Sequence, residues 1–206
     1  MRRELCKTFT ANLVPKIRSI RNTTEDKVER NLKIERAIYE ASDVTNSEIW
    51  QMSKENEAFL GMGTTLSGCV IIDDLIWTFN AGDSRVYGVA KDGMTQLTVD
   101  HSFVQTLLDE GKITAEEAQN HPNRNVILRA LGVKKDIDCD VNLSPSTHKY
   151  YLICSDGMSN YFDENKFVKI ITSSGSLSEK AESLVRFANS QGGSDNITVV
   201  LIDTER

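Results

Sequence analysis

The spacing of apolar residues changes character at Gly61, and that change restricts the fold more than any other feature of the chain. Before it, Leu5, Phe9, Leu13 and Ile17 recur every four residues, as one face of a helix requires. Val28, Leu32, Ala37, Ile38 and Ala41 form a second stripe, with Thr23 or Thr24 as its cap and core packing as its use. A third, shorter helix is expected over residues 46–58. After Gly61, Thr64–Asp73 and Leu75–Asn80 are rich in β-branched and aromatic residues, and Asp73-Asp74 between them marks a hairpin. A second hairpin is expected from Arg85–Ala90 to Thr95–Thr98, turning at Lys91-Asp92-Gly93.

Helical patterns return over residues 101–131. His101–Glu110 ends at Gly111, and Thr114 with Glu117 forms a capping box for a short helix that His121-Pro122 interrupts. Asn125–Leu131 reads as a turn-rich or helical piece closed by Gly132. Lys149–Ser155 reads as a buried strand. Phe162–Ser173 and Leu177–Ser190 read as helices, the latter burying Leu177, Ala181, Leu184, Val185 and Ala188. Asn196–Asp203 is a final strand. No repeat or linker divides the chain, so one domain of α+β class is expected, with strands in hairpins and helices grouped between them.

The 206 residues suffice for a sizeable core. A net charge of −6 and the lack of a Lys/Arg block argue against a nucleic-acid surface. No apolar stretch reaches membrane-spanning length, and the start of the chain does not read as a signal peptide. The four cysteines form no C-x-x-C pair; Cys69 and Cys154 lie in apolar runs and read as buried free thiols. A reducing, cytoplasmic setting is the default that follows.

Three segments share one design, an apolar strand meeting Asp beside Gly or Asn. They are Asn80-Ala81-Gly82-Asp83-Ser84-Arg85, Cys154-Ser155-Asp156-Gly157 and Gly192-Gly193-Ser194-Asp195-Asn196. Glycine allows the sharp turn that aims a neighbouring carboxylate. Carboxylates suit hard cations such as Mg²⁺ and Mn²⁺, and without a cation a cluster of them would raise one another's pKa. Each segment alone reads as an ordinary turn. Their combination and order carry the weight.

In that order the chain resembles the metal-dependent serine/threonine protein phosphatases of the protein phosphatase 2C (PPM) type, bacterial branch. The resemblance rests on Gly61-Met62-Gly63-Thr64-Thr65, Ala81-Gly82-Asp83-Ser84-Arg85, Thr98-Val99-Asp100-His101-Ser102, His121-Pro122 through Arg129-Ala130-Leu131-Gly132, Cys154-Ser155-Asp156-Gly157, and Gly193-Ser194-Asp195-Asn196-Ile197-Thr198-Val199-Val200. It implies two antiparallel β-sheets packed face to face and flanked by helix pairs. The single domain then divides into a helical part (1–60), β-hairpins (61–100), a flap (100–132) and C-terminal strands and helices (149–206). It implies two Mn²⁺ or Mg²⁺ ions, with a third at a weaker site. Asp156 and Asp195 match ligands of one ion of the di-metal centre, and Asp83 and Asp156 match ligands of the third. Asp100, His101, Ser102, His121 and Asn125 fall in or beside the flap, where the two histidines read as structural.

The implied reaction is hydrolysis of phosphoserine and phosphothreonine in proteins by a metal-activated water, with phosphoproteins and a cognate serine/threonine kinase as partners. No nucleophilic side chain is needed, so Cys154 is not expected to act as one. Two departures from the family pattern stand out. Its early Arg, and the Asp-Gly-Met-Gly-Gly whose Asp bridges both metals, are not found in this chain, whose first strands are expected to be missing. Asn160 stands where many relatives have Asp, which weakens the third site. Impaired turnover is the resulting expectation; the alternative is a catalytically dead pseudophosphatase that acts as a binding module.

Overall fold

The computed structural model describes the backbone of residues 2–204 and side chains from residue 5 onward. Its helical start is two long helices, α1 (Arg2–Thr23) and α2 (Lys27–Glu55). The separate helix expected over 46–58 is the C-terminal half of α2, since nothing before Glu55 breaks the pattern. The cap of α2 is Asp26, whose carboxylate accepts the Glu29 N–H at 2.7 Å, rather than Thr23 or Thr24. The second stripe is also narrower than expected. Ala37, Ile38 and Ala41 are buried, but Val28 and Leu32 are exposed.

Two antiparallel sheets follow. One has the order β1-β2-β5, with β1 (Leu66–Ile72), β2 (Leu75–Ala81) and β5 (Asp140–Pro145). The other has the order β4-β3-β6-β7, with β3 (Arg85–Ala90), β4 (Gly93–Gln96), β6 (Tyr150–Cys154) and β7 (Val199–Asp203). The β1–β2 hairpin turns at Asp73, whose φ of 53° is the left-handed conformation that Asp tolerates in turns. Alternation divides β2 between two surroundings. Trp77 and Phe79 pack with Phe9, Leu13, Ile34 and Ile38 beneath α1 and α2. The intervening Thr78 and Asn80 point the other way, and the Asn80 amide donates to the Val99 carbonyl at 3.0 Å.

The outer face of the second sheet is covered by α5 (Asp156–Ser159), α6 (Glu164–Ile171) and α7 (Leu177–Ser190). Leu152, Met158, Phe167, Ile171, Leu184 and Ala188 form that core, each fully buried. Burial of such side chains contributes roughly 1.5–3 kcal/mol each for the larger ones. Leu177, expected inside, is at the exposed start of α7. Cys69 is only partly buried, whereas Cys139 and Cys154 are inside; all the cysteines are free. Segment 100–132 holds α3 (Phe103–Asp109) and α4 (Ala115–Gln119), and residues 125–131 are irregular rather than helical. No helix among the described residues is long and apolar enough to cross a membrane.

The end of segment 100–132 is anchored by Asn46, which is 1% exposed. Its side-chain oxygen accepts the Gly132 N–H at 2.7 Å, and its amide donates to the carbonyls of Lys134 and Lys135. Gly132 itself has φ 82°, and a Cβ there would lie 2.1 Å from the Ile49 side chain. Asn46→Ala would strand buried polar groups and is expected to cost about 2–4 kcal/mol, read as a lowered urea midpoint with an unchanged m-value.

Candidate functional site

The register of the second sheet determines which aspartates meet. β3 and β6 pair antiparallel with Arg85 opposite Cys154. Two residues beyond that pair, one backwards and one forwards, are Asp83 and Asp156. Asp83 is 9% exposed. Burial, then the nearby charge of Asp156, then that of Asp100, push its carboxyl up to about 6. The two carboxylates therefore share one electrostatic environment at the ends of β3 and β6.

Asp195 lies on the neighbouring strand approach. Ser155 joins the two: its N–H donates to Thr198 O at 3.1 Å, and its hydroxyl bonds Asn196 O and Thr198 N at 3.0 Å each. Gly157 permits this approach, because a Cβ there would sit 2.5 Å from Asn196 O. The Asp195 carboxylate is exposed and accepts the N–H of Asn196 at 2.6 Å. The loop before it is held by Tyr161, whose hydroxyl contacts Ser194 Oγ at 2.9 Å and accepts the Ser194 N–H at 3.2 Å. Asn160 is exposed and caps α5, its N–H donating to Asp156 O.

Asp100 is 8% exposed and occupied by Arg85, which donates from Nε at 2.9 Å and from Nη2 at 2.7 Å. Gln96 adds a third donor to it at 3.2 Å. Its carboxylate thus braces the turn behind Asp83. Ser102 caps α3 by accepting the Gln105 N–H, and bridges to Ile127. His121 accepts the Asn123 N–H at 3.1 Å and packs on Phe103, while Asn125 is exposed in the turn after it. Cys154 is 2% exposed, and burial pushes its thiol up to about 12, far from a nucleophilic thiolate.

The donor chemistry of Asp83 and Asp156 fits a hard divalent cation: two oxygen ligands whose mutual repulsion a cation would relieve. The fit is partial. Among the described residues no group of three or more His, Cys, Asp or Glu side chains is gathered closely enough to hold an ion. Extending the β6–β7 register, Cys154 opposite Val199, sets Ile197 across from Asp156, and Asp195 precedes Ile197 by two residues, its backbone passing beside Gly157.

Sequence reasoning missed Asp140, Arg129 as its partner, and Tyr161. Asp140 begins β5, a strand that was not expected at all. Its signal was the alternation Asp140-Val141-Asn142-Leu143-Ser144, which has period two.

No protein-family profile matches the chain. The serine/threonine phosphatase stp of Listeria innocua is 41% identical over 172 residues, which is 83% of this chain and 68% of that protein. The crystal structure of the serine/threonine phosphatase Stp1 from Staphylococcus aureus matches with a TM-score of 0.81 at 28% identity, over 96% of this chain and 77% of that one. The catalytic domain of the serine/threonine protein phosphatase PstP, solved in complex with two manganese ions, matches with a TM-score of 0.72 at 28% identity, over 96% of this chain and 80% of that one. The identity, the two-sheet architecture and the ordered aspartate turns agree, and the chain belongs to the bacterial PP2C-type serine/threonine protein phosphatases.

Proposed function

We propose that this chain acts on phosphoserine and phosphothreonine in proteins, and that Asp83 and Asp156, with Asp195 beside them, form its wall of a divalent-metal site. The observation that carries the reading is the electrostatic coupling of Asp83 to Asp156 at the paired ends of β3 and β6. A Mn²⁺ or Mg²⁺ ion bound there would lower the pKa of a coordinated water and offset charge on phosphoryl oxygens. The chain's own residues do the positioning. Arg85, clamped by Asp100, braces the turn that aims Asp83. Ser155 and Gly157 hold the Asp195 segment against the start of α5. Tyr161 fixes the loop before Asp195. A serine/threonine kinase acting on the same targets is the partner that this reading implies.

The incomplete gathering of carboxylates favours a second reading, a phosphatase fold that binds without turnover. The two separate on p-nitrophenyl phosphate with Mn²⁺. Turnover that Asp156→Asn lowers by about 10³ or more supports the enzyme. A chain with no turnover above buffer, and none lost on that substitution, supports the binding module.

Asp83 also sets a pH signature. Its folded pKa lies above the ordinary carboxylate value, so the folded state holds more protons than the unfolded one between roughly pH 4 and 6. In the metal-free chain its contribution to stability therefore falls as pH rises through about 6. Asp83→Asn, which mimics the neutral form, is expected to raise the urea midpoint relative to wild type more near pH 7.5 than near about pH 5. Saturating Mn²⁺ favours the charged carboxylate and is expected to reverse the ranking near neutral pH.

Gly157→Ala is expected to push the Asn196 carbonyl outward. A weakening of Mn²⁺ binding by about tenfold or more in calorimetry, together with a lowered thermal midpoint, is the expected result.

A further inference from the structure

His101 is 8% exposed, and its hydrogen bonds run to three different segments. Its backbone N–H donates to Gly82 O at 2.8 Å, and its ring Nδ1 accepts the Gly82 N–H at 3.2 Å. Both polar groups of the residue before Asp83 are thus held by one side chain and its own backbone. The His101 carbonyl accepts the Leu128 N–H at 2.7 Å, which ties it to the flap. Because Nδ1 accepts, the ring proton is on Nε2, directed at Asp140 Oδ2 at 3.1 Å. Arg129, the residue after Leu128, occupies the other oxygen of Asp140 at 2.9 Å. A closed circuit results, from Gly82 through the imidazole to Asp140, on to Arg129, and back through Leu128 to His101.

We propose that His101 is a positioning residue that locks the Asp83 turn to flap segment 126–129, so that flap placement and Asp83 placement are set together. Its worth to phosphatase chemistry rests on the reading of Asp83 as a metal carboxylate; the lock itself does not. A histidine buried only for packing would need neither the acceptor at Nδ1 nor the anchor at Nε2. Here both are used, and they point to opposite sides of the ring. Gly82, at φ 125°, cannot relax by a simple side-chain change, since a Cβ there would lie 2.4 Å from Thr65. Asn80 supplies one further bond to Gly82 O, at 3.0 Å, leaving the Gly82 N–H dependent on His101 alone among the described hydrogen bonds.

Two isosteric variants divide the ring into its functions. His101→Asn keeps an acceptor at the place of Nδ1, and His101→Gln keeps a polar group at the place of Nε2 but none at Nδ1. Amide hydrogen exchange read by mass spectrometry should rise by about tenfold in His101→Gln, in peptides covering 80–84 and 126–129 together. In His101→Asn, which keeps the Gly82 contact and loses only the Nε2 contact to Asp140, both segments should rise by no more than roughly threefold. Equal exchange in the two variants, or a rise confined to one segment, overturns the proposal. Should His101→Gln not fold, Asp140→Ala removes the anchor while leaving the ring; a rise of roughly threefold in both segments is expected, and no rise overturns the lock. Calorimetric titration with Mn²⁺ tests its use. Affinity should fall about tenfold in His101→Gln and be retained in His101→Asn, although both lower the thermal midpoint. Affinity that follows the midpoint instead of the acceptor overturns the positioning role. A wild-type chain that takes up no Mn²⁺ removes the metal reading of Asp83, and the exchange comparison still decides the lock.

Discussion

The antiparallel pairing of β3 with β6 is the constraint on which the rest of the site depends. Backbone hydrogen bonds place Arg85 opposite Cys154. In an antiparallel ladder, residues equally far beyond a pair on the two chains stay opposite. Asp83 and Asp156 are therefore brought together by register, though they are far apart in sequence. A slip of one residue would put the turns at the two strand ends out of step and turn the buried side chains of β3 or β6 to the other face of the sheet. The pairing is itself secured by burial, with Leu152, Val89 and Cys154 inside the core under α5, α6 and α7.

Holding two carboxylates at adjacent strand ends opposes folding, and the surroundings show how the cost is met. The charge of Arg85 opposes the rise in the Asp83 pKa, but its guanidinium is committed to Asp100 by a bidentate contact and also donates to the Tyr87 hydroxyl. It shapes the turn more than it neutralises Asp83. The carboxyl responds by titrating higher than usual. A strain of this kind, maintained by a fully bonded support, is what a cation site requires of a protein scaffold before the cation arrives.

His101 extends the same logic outward. The residue that secures Gly82 also receives the flap, and the flap's Arg129 returns to the acid that orients the imidazole. The support of Asp83 and the placement of the flap thus use common bonds, so neither can shift without a cost to the other. Tyr161 serves Asp195 in a more exposed way, through a hydroxyl that could be lost without opening the core.

The sequence by itself determined the class of fold, the hairpins, the capping box at Thr114, and the acid turns, because these depend on local periods and on residues with local preferences. The family order of motifs extended that to the two-sheet architecture. What it did not determine depends on contacts distant in the chain. Helix α2 runs past residue 46 because its buried face continues against the sheet and Gly132. β5 is a strand because β2 offers it an edge, with Phe79 opposite Val141. Asp140 becomes the partner of His101 only through that pairing. The three aspartates were equally visible as turn residues. Strand register, a tertiary quantity fixed by core burial, brings Asp83 to Asp156, and the bonds of Ser155 to residues 196 and 198 bring the Asp195 segment alongside.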